Sequence, residues 1–283
     1  MIPSLHSGVS ALKSLTQGLQ VLGNNISNVN SLGYKSSRAN YSDNFYQHIN
    51  DAEAGGDGQP SSNVLSHGTG VHVGSITSDF NQGSIEVTGL DLDLAIQGEA
   101  LPNAGGFFEV IDAETGDLFY TRGGAFEATT AGFVVTRDQY QYQLQGVNGP
   151  LSVGLEDDEL LLARRVEQTG VVNLVVSKDG KDEIRSPGQV KLVNFQSPQA
   201  LKRVGNGFYS NGGAGQDLGG ILDNAVPASG SNGKIKQYAL ELSNVDLTNE
   251  FAAMISHQRS FQAGSRVITT SDLILSEAIN LKR

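Results

Sequence analysis

The sequence contains few residues at the spacing that catalysis or phosphate binding requires. Glycines stand at positions 68, 70 and 74 in GTGVHVG, which is not the G-x-G-x-x-G spacing of dinucleotide sites. The following residues alternate as in a strand, whereas such a site needs a helix there. A cysteine nucleophile, a G-x-S-x-G elbow and an H-E-x-x-H motif are absent from the sequence. We therefore predict no catalytic residue and no cofactor, and a protein that is not an enzyme.

Two pairs of side chains could in principle bind a metal ion. His67 and His72 are five residues apart, a spacing that places them on opposite faces of a strand. Asp91 and Asp93 would share one strand face, but no further cluster of oxygen ligands at loop spacing accompanies them. A solvated or hydrogen-bonding role for the two aspartates is favoured, and no metal site is predicted.

Charge and hydropathy exclude several other classes of partner. The chain of 283 residues carries a formal net charge of −11, which argues against nucleic acid and anionic membranes as partners. No apolar run approaches the roughly 20 residues that span a bilayer, so membrane insertion is not expected. The start MIPSLHSGVSALK lacks the basic region and apolar core of a secretory signal. If the protein leaves the cytoplasm, we expect export without a cleaved signal peptide.

The elements that would position functional residues begin with an amphipathic N-terminal helix. Its apolar residues alternate at spacings of three and four, which is the seam of a heptad repeat. Leu5 extends the same face. The seam consists of Leu12, Leu15, Leu19, Leu22, Ile26 and Val29.

The C-terminus carries a second heptad pattern. A helix is predicted from Leu247 to Leu281, with Asp246 as its N-cap. Gln258, Ser265 and Asp272 occupy seam positions, and buried polar seam residues can specify register or bind a neighbouring chain. The apolar seam positions are Leu247, Phe251, Met254, Phe261, Ile268, Leu275 and Ile279.

Two long terminal helices can cover each other's seams by pairing as a coiled-coil stem. The alternative is two ordinary core helices of one globular domain. Between them, segments such as LDLAIQG, GFFEVID and VVNLVVSKDG alternate apolar with polar residues and end in turn signals, which predicts an antiparallel β domain. The expected fold is α+β. Its predicted parts are a discontinuous helical domain at 1–45 and 238–283, extended linkers at 46–70 and 211–237, and an outer β domain at 71–210.

Several motifs resemble one protein family. LHSGVSALKSLTQGLQVLGNNISNVNSLGYKSSRANYSD is similar to the start of the bacterial flagellar axial proteins, the rod and hook family. LDLAIQG, GFFEV, YTRGGAF and GFVVT resemble central stretches of that family. LSNVDLTNEFAAMISHQRSFQAGSRVITTSDLILSEAINLKR is similar to its C-terminal helix. The ending INLKR and the start SNVDLTNEF look more like a short hook protein than a distal rod protein.

The resemblance implies a structural subunit of the bacterial flagellum that self-assembles into a tubular polymer and transmits torque from motor to filament. The hook is the expected location, and the distal rod of the basal body is the alternative. Implied partners are further copies of the chain, neighbouring rod, hook and hook–filament junction proteins, the hook cap, and the flagellar type III export apparatus. Outside this family, a soluble dimeric β-domain binding protein or hydrolase remains the competing hypothesis.

The family resemblance gives a role to the asparagine-rich stretch NNISNVNS at 24–31. Asparagine is a poor helix former, and its amide both donates and accepts hydrogen bonds. These side chains are therefore expected to bind neighbouring subunits on assembly, although Asn28 and Asn30 could instead only terminate the helix. The residues expected to form axial packing and subunit contacts are Leu12, Leu15, Leu19, Leu22, Asn24, Asn25, Ile26, Asn28, Phe251, Met254, Gln258, Phe261 and Ile268.

Overall fold

The computed structural model describes residues 3–50, 65–98, 105–154, 160–178, 181–212, 219–222, 226–229 and 232–281. These residues form two compact units. The helical unit comprises Met1–Ser27, Ser37–Ser78 and Asp246–Arg283, and the β unit comprises Asn28–Ser36 and Asp79–Val245. The fold class is α+β, as predicted, with a helix near each end of the chain and antiparallel strands between them.

The two helices begin and end close to the predicted positions. Helix α1 spans Pro3–Ser27 and helix α2 spans Leu247–Asn280. The Asp246 carboxylate accepts hydrogen bonds from the backbone N–H groups of Thr248 and Asn249, which confirms the predicted N-cap. At 34 residues, α2 is about 51 Å long. Val29 lies beyond the end of α1, so the heptad seam continues one position past the helix.

Four strands belong to the helical unit. β1 (Ser37–Asp43) pairs antiparallel with β4 (Val71–Ser78), and β2 (Tyr46–Asn50) pairs with β3 (Leu65–Gly68). Residues 71–78 were predicted to belong to the outer β domain, but β4 pairs with β1 and lies in the helical unit. Strands also occur inside both predicted linkers, although residues 51–64 of the first one lie outside the described part of the chain.

The β unit contains the remaining strands. Ten strands form one antiparallel sheet: β7 (Phe107–Ile111), β8 (Leu118–Thr121), β9 (Phe126–Ala128), β10 (Val134–Thr136), β11 (Gln143–Gly146), β12 (Gly149–Pro150), β16 (Leu192–Phe195), β17 (Lys202–Gly205), β18 (Phe208–Ser210) and β19 (Ile221–Leu222). The sheet runs in the order β17-β18-β8-β7-β11-β10-β9, with β12 beside β11, β16 beside β7, and β19 beside β16. A 3-10 helix at Pro198–Ala200 connects β16 to β17.

Three smaller sheets complete the β unit. β13 (Leu160–Val166), β14 (Val171–Lys178) and β15 (Lys181–Gln189) form an antiparallel meander. β5 (Ile85–Val87) pairs with β21 (Ala239–Glu241), and β6 (Leu94–Gln97) pairs with β20 (Lys234–Gln237). Distant parts of the sequence therefore meet in the last two pairs. β20 lies within the range 211–237 that was predicted to be an extended linker.

The β unit has two buried apolar clusters. The larger one joins alternating residues of the ten-stranded sheet and the meander, such as Phe108, Phe126 and Leu174. The smaller one is largely aromatic. The ring centroid of Phe107 lies 5.6 Å from that of Phe80 and 5.7 Å from those of Phe195 and Tyr209. Period-two alternation along the strands supplies both clusters.

Candidate functional site

The two helices of the helical unit approach closely where small residues face large ones. A Cβ atom at Gly8 would lie 3.2 Å from Cγ1 of Ile268, and one at Gly264 would lie 3.1 Å from Cδ2 of Leu12. The missing side chains therefore allow Leu12 and Ile268 to pack against the backbone of the opposite helix. Both residues belong to the set predicted to form axial packing contacts, and both lie between the two helices.

The predicted packing residues differ in how far their own chain covers them. Phe251 is 49% exposed and Phe261 is 38% exposed, and the side chains of Asn24 and Gln258 are also exposed. The partly buried members are Leu12, Leu15, Leu19, Leu22, Ile26, Met254 and Ile268. The α1 side of the seam is thus half covered within one chain, while two aromatic rings of the α2 side remain in contact with solvent.

Asn25, which was predicted to contact another subunit, forms hydrogen bonds within its own chain. Its side chain is fully buried. Its Nδ2 donates to the carbonyl oxygen of Ser37 at 2.8 Å and to Oε1 of Glu250 at 3.1 Å, and its Oδ1 accepts from the Ser37 backbone N–H at 2.9 Å. The amide therefore joins α1, β1 and α2 within one chain. Burial of a polar group is tolerated only with such partners, so the structure gives Asn25 an intramolecular function.

Glu250 is the charged member of this arrangement. Burial raises the pKa of its carboxyl group, and the nearby Asp246 carboxylate raises it further, whereas the hydrogen bond from Asn25 lowers it. Oε2 of Glu250 is buried and has no hydrogen-bond partner among the described residues. The helical unit thus holds a carboxyl group whose charged form is only partly compensated.

Asn28 is used in the turn that follows α1. Its Oδ1 accepts a hydrogen bond from the Ser31 hydroxyl at 3.0 Å, and its carbonyl oxygen accepts from the Ser31 backbone N–H at 3.1 Å. This geometry fits the alternative in which Asn28 ends the helix.

A second close approach in the helical unit lies at Gly18. A Cβ atom there would overlap the hydroxyl of Tyr41 and would lie 2.9 Å from Cε1 of His257. The rings of Tyr41 and His257 are 6.1 Å apart, centroid to centroid. Burial raises the pKa of the Tyr41 hydroxyl. Gly18 thus lets one side chain from β1 and one from α2 approach the backbone of α1.

Helix α2 exposes more apolar surface than the heptad pattern predicted. Leu273 is 69% exposed and Ile274 is 57% exposed, although neither lies on the predicted seam. The large apolar side chains of α2 that are at least 38% exposed are Leu247, Phe251, Ile255, Phe261, Val267, Leu273, Ile274 and Ile279. Leu247, Phe251, Phe261 and Ile279 are predicted seam residues. Ile255, Val267, Leu273 and Ile274 lie outside the seam, and the two-helix interpretation gave them no partner.

The hairpin of β2 and β3 presents a second apolar surface in the helical unit. Phe45, which precedes β2, is 94% exposed, and Ile49 is 59% exposed. Tyr46 and Leu65 are also exposed. Clusters of exposed apolar side chains are typical of surfaces that bind another protein.

A buried charge cluster in the β unit was not predicted. Lys35 Nζ lies 2.6 Å from Oε1 of Glu241, and Arg122 NH1 lies 3.3 Å from Oε2, with all three side chains fully buried. Lys35 also donates to the carbonyl oxygen of Asn81 at 2.8 Å. Burial, followed by the positive charge of Arg122, lowers the pKa of Lys35 to about 8, against the opposing effect of Glu241. Burial likewise lowers the pKa of Arg122.

The charge cluster joins segments of the β unit that are far apart in sequence. The Gly33 N–H donates to the Glu241 carbonyl oxygen at 2.8 Å. Asn244 Oδ1 accepts from the Ser36 N–H at 2.8 Å, while its Nδ2 donates to the carbonyl oxygen of Asp79 at 2.9 Å. These residues lie next to the sequence positions at which the chain passes from one unit to the other. The cluster therefore ties together the borders of the β unit.

Two of the four candidate metal ligands, Asp93 and His72, have other partners. Asp93 is buried, accepts from Arg137 NH2 at 2.9 Å and accepts from the Thr88 hydroxyl at 2.6 Å, which confirms the predicted hydrogen-bonding role. His72 Nδ1 lies 2.8 Å from Oδ1 of Asn44. Within the described ranges, no group of three or more His, Cys, Asp or Glu residues could hold a metal ion. None of the helices in that part of the chain is long and apolar enough to cross a membrane.

Two family models match this chain. The model described as "Flagellar basal body rod FlgEFG protein C-terminal" matches residues 236–281, which include β21 and α2. The model described as "Flagellar hook protein FlgE/F/G D1 domain" matches residues 95–181 in the β unit. Both matches agree with the resemblance drawn from the motifs.

Similar proteins match along their whole length. The chain is 35% identical to the flagellar basal-body rod protein FlgG of Bacillus subtilis, with 100% of each chain covered. It is 30% identical to FlgG of Caulobacter vibrioides, with 99% of each chain covered, and 30% identical to FlgG of Borreliella burgdorferi, with 100% of each covered. The names of these relatives favour the rod alternative over the hook expected from the terminal motifs. The chain therefore belongs to the flagellar rod and hook axial protein family, in which it is similar over its full length to the basal-body rod protein FlgG.

Proposed function

We propose that this chain is a subunit of the distal rod in the bacterial flagellar basal body, where copies assemble into a tube that transmits torque. The chain is similar over its whole length to proteins named as basal-body rod proteins. The proposed role is structural and needs no catalytic group or cofactor. We choose the rod over the hook because the hook interpretation rested only on short terminal motifs.

The single observation that carries the proposal is the exposed apolar surface of α2. Eight large apolar side chains of this helix are at least 38% exposed, from Leu247 to Ile279. Removing apolar surface from water contributes about 25 cal/mol per Å², so a second copy that covers this helix would stabilise the assembly. The occupant of this surface is another copy of the same chain.

The geometry of the proposed contact distinguishes a tube from a dimer. The exposed stripe of α2 and the half-covered seam of α1 are different surfaces, so a contact between them joins unlike patches of two copies. Such a heterologous contact does not close on itself and propagates into a helical polymer. We propose that α1 and α2 pair as a coiled-coil stem in this polymer, with the predicted seams as its core.

Polar residues would then fix the register of neighbouring stems. Asn24 and Gln258 have exposed side chains on α1 and α2. We propose that they form hydrogen bonds between subunits, together with the packing of Phe251 and Phe261. Asn25 and Asn28 were also predicted to contact neighbouring subunits, and both form hydrogen bonds within their own chain.

The β2–β3 hairpin would add a second contact between copies. Its exposed residues Phe45, Tyr46, Ile49 and Leu65 form an apolar surface that is separate in sequence from α2. A second contact of this kind would restrict the motion of neighbouring subunits, as a rod requires and a flexible hook does not.

The proposed location and partners follow from the family. The chain would reside in the flagellar basal body, outside the cytoplasm, and would contact further copies of itself and neighbouring rod, hook and junction proteins. Delivery by the flagellar export apparatus, without a cleaved signal peptide, and a contact with the hook cap belong to the same proposal.

Sedimentation velocity at rising protein concentration tests self-assembly. We expect the full chain to form species that grow with concentration, whereas a chain lacking residues 1–33 and the variant Ile274→Glu remain small. Gln262→Glu, which adds the same charge at an exposed polar position of α2, is the control and should assemble normally. A full chain that stops at a dimer at every concentration would contradict the proposal and support the dimeric binding protein instead.

A further inference from the structure

The β unit carries an exposed aromatic face that the proposed assembly does not use. Tyr140 is 57% exposed and Leu118 is 44% exposed. Tyr142 is half-buried beside them. With the carboxylates of Asp112, Asp117 and Asp138, these residues form what we call the tyrosine face. It lies at one end of the ten-stranded sheet, where the β7–β8 and β10–β11 loops meet, because β7 and β11 pair with Ile111 opposite Gln143.

The rings of the tyrosine face are stacked in order. Tyr140 and Tyr142 are nearly parallel, with an interplanar angle of 7° and ring centroids 5.5 Å apart. Tyr142 stacks in turn on Phe119 at 5.0 Å, and Phe208 meets Tyr142 edge-on at 5.0 Å. The inner rings pack against the apolar core, whereas Tyr140 is largely exposed to solvent.

The loops that present these rings are held by side-chain hydrogen bonds. Asp138 Oδ1 accepts from the Thr136 hydroxyl at 2.8 Å and from the Tyr140 backbone N–H at 3.2 Å. Asp112 Oδ1 accepts from the Glu114 N–H at 2.9 Å, and its Oδ2 accepts from the Thr115 hydroxyl at 3.0 Å. A surface that is ordered before it binds loses less entropy on binding.

The electrostatic environment of the rings is acidic. Burial, the Asp112 carboxylate, Tyr140, Asp138 and Asp117 all raise the pKa of the Tyr142 hydroxyl. Arg137, the cation in the same loop, is directed elsewhere, with NH2 2.9 Å from Oδ1 of Asp93 and 3.0 Å from the Phe126 carbonyl oxygen. Stacked π-faces surrounded by carboxylates are complementary to a cation.

We propose that the tyrosine face binds a basic segment of a partner protein by placing an arginine or lysine side chain against Tyr140, with the surrounding aspartates as counter-charges. The same chain shows this chemistry elsewhere in the β unit. The buried Arg122 guanidinium lies 5.0 Å from the Phe107 ring centroid, and the partly exposed Arg203 guanidinium lies 5.1 Å from that of Tyr34. The partner is recognised by its charge and planarity, so this inference does not depend on whether the assembly is rod or hook.

A labelled tetra-arginine peptide tests the proposal by fluorescence anisotropy with the full chain at about 0.15 M salt, where long-range attraction is screened. We expect saturable binding that Tyr140→Ala weakens about two- to five-fold, since an exposed cation–π contact contributes to that extent. Tyr140→Phe keeps the ring and should bind like the wild type. Tyr238→Ala removes a partly exposed ring of the β unit outside the tyrosine face and should also leave binding unchanged.

Two variants that each remove one negative charge distinguish binding at the tyrosine face from general attraction of the peptide to an acidic chain. Asp117→Asn should weaken peptide binding, whereas Asp182→Asn, an equal change of charge on exposed β15, should not. Equal effects of these two variants, or equal affinity of Tyr140→Ala and wild type, would overturn the proposal. Binding of a chito-oligosaccharide at Tyr140 in the absence of peptide binding would also overturn it, because the face would then be a carbohydrate platform.

Discussion

Lys35 and Glu241 form a fully buried ion pair, with Nζ 2.6 Å from Oε1, between residues separated by 206 positions in the sequence. Arg122 shares the same carboxylate. One carboxylate thus compensates two buried cations, and the same residue, through its main chain, binds Gly33. The β unit depends on this carboxylate to hold together the segments at its borders.

Glu241→Gln should destabilise the β unit strongly. The substitution leaves Lys35 and Arg122 buried without a counter-charge, and breaking a buried pair in this way costs about 3–5 kcal/mol. Urea unfolding monitored by circular dichroism measures the loss. Glu86→Gln, at an exposed position of the neighbouring strand β5, should change the free energy of unfolding by less than about 0.5 kcal/mol. Equal losses in the two variants would mean that the cluster has no special role.

Lys35 should make the stability of the β unit depend on pH in the alkaline range. Its pKa is lowered from 10.5 to about 8 in the folded chain, chiefly by burial. Between these two values the unfolded chain binds more protons than the folded chain, so the free energy of unfolding rises with pH. Below pH 8 the lysine is charged in both states and the cost of burying its charge is present in full. Above pH 10 the raised pKa of Tyr209 acts in the opposite direction.

Urea unfolding at several values between pH 7 and pH 10 measures this effect. The free energy of unfolding of the wild type should increase over that interval. In Lys35→Met, which has no titrating group at this position, the increase should be smaller. A pH profile that is the same in both proteins would contradict the assignment. The comparison between variants is needed because other lysines and tyrosines titrate in the same range.

Asn25→Ala should destabilise the helical unit. It removes hydrogen bonds to both backbone groups of Ser37 and to Glu250. Leaving buried polar groups without a partner costs about 1–3 kcal/mol each, so a total of a few kcal/mol is expected. Asn24→Ala, at the adjacent exposed position, is the matched control and should cost less. The loss of α-helical circular dichroism on heating reports the difference. If the two variants unfold alike, the intramolecular role of Asn25 is wrong.

The close approach at Gly18 can be tested by a double substitution. Gly18→Ala should destabilise the helical unit, since the new Cβ overlaps the Tyr41 hydroxyl and displaces His257, although alanine itself favours a helix by about 1 kcal/mol over glycine. Tyr41→Phe removes the overlapping hydroxyl. In that background, Gly18→Ala should cost clearly less or become stabilising. Additive effects of the two substitutions on the melting temperature would show that the side chains do not interact.

Local signals in the sequence predicted the helices and many of the strands. The N-cap Asp246 and the heptad spacing of apolar residues are signals between residues close in sequence. They predicted a helix that begins at Leu247, where α2 begins in the structure. Alternation likewise indicated β7 and β14. The sequence could not reveal that Glu241 would meet Lys35, because that contact depends on the pairing of β5 with β21 and on the course of the whole β unit.

The hydrogen bonds of Asn25 are a second feature that the sequence did not reveal. Its position in an asparagine-rich stretch suggested contacts with other chains, and a pattern of residue types cannot tell which of several amides is buried. The partner groups of Asn25 come from Ser37, after the chain has turned back as β1, and from Glu250 on α2. The predicted intersubunit role of Asn24, by contrast, remains a prediction for the assembled state.

Electron microscopy of the purified full chain at rising concentration tests the central proposal most directly. We expect straight tubes from the full chain and from Gln262→Glu, and soluble small species from Ile274→Glu and from a chain lacking residues 1–33. Curved tubes would return the assignment to the hook. Discrete particles at every concentration, or tubes that form equally well without residues 1–33, would contradict assembly through the terminal helices.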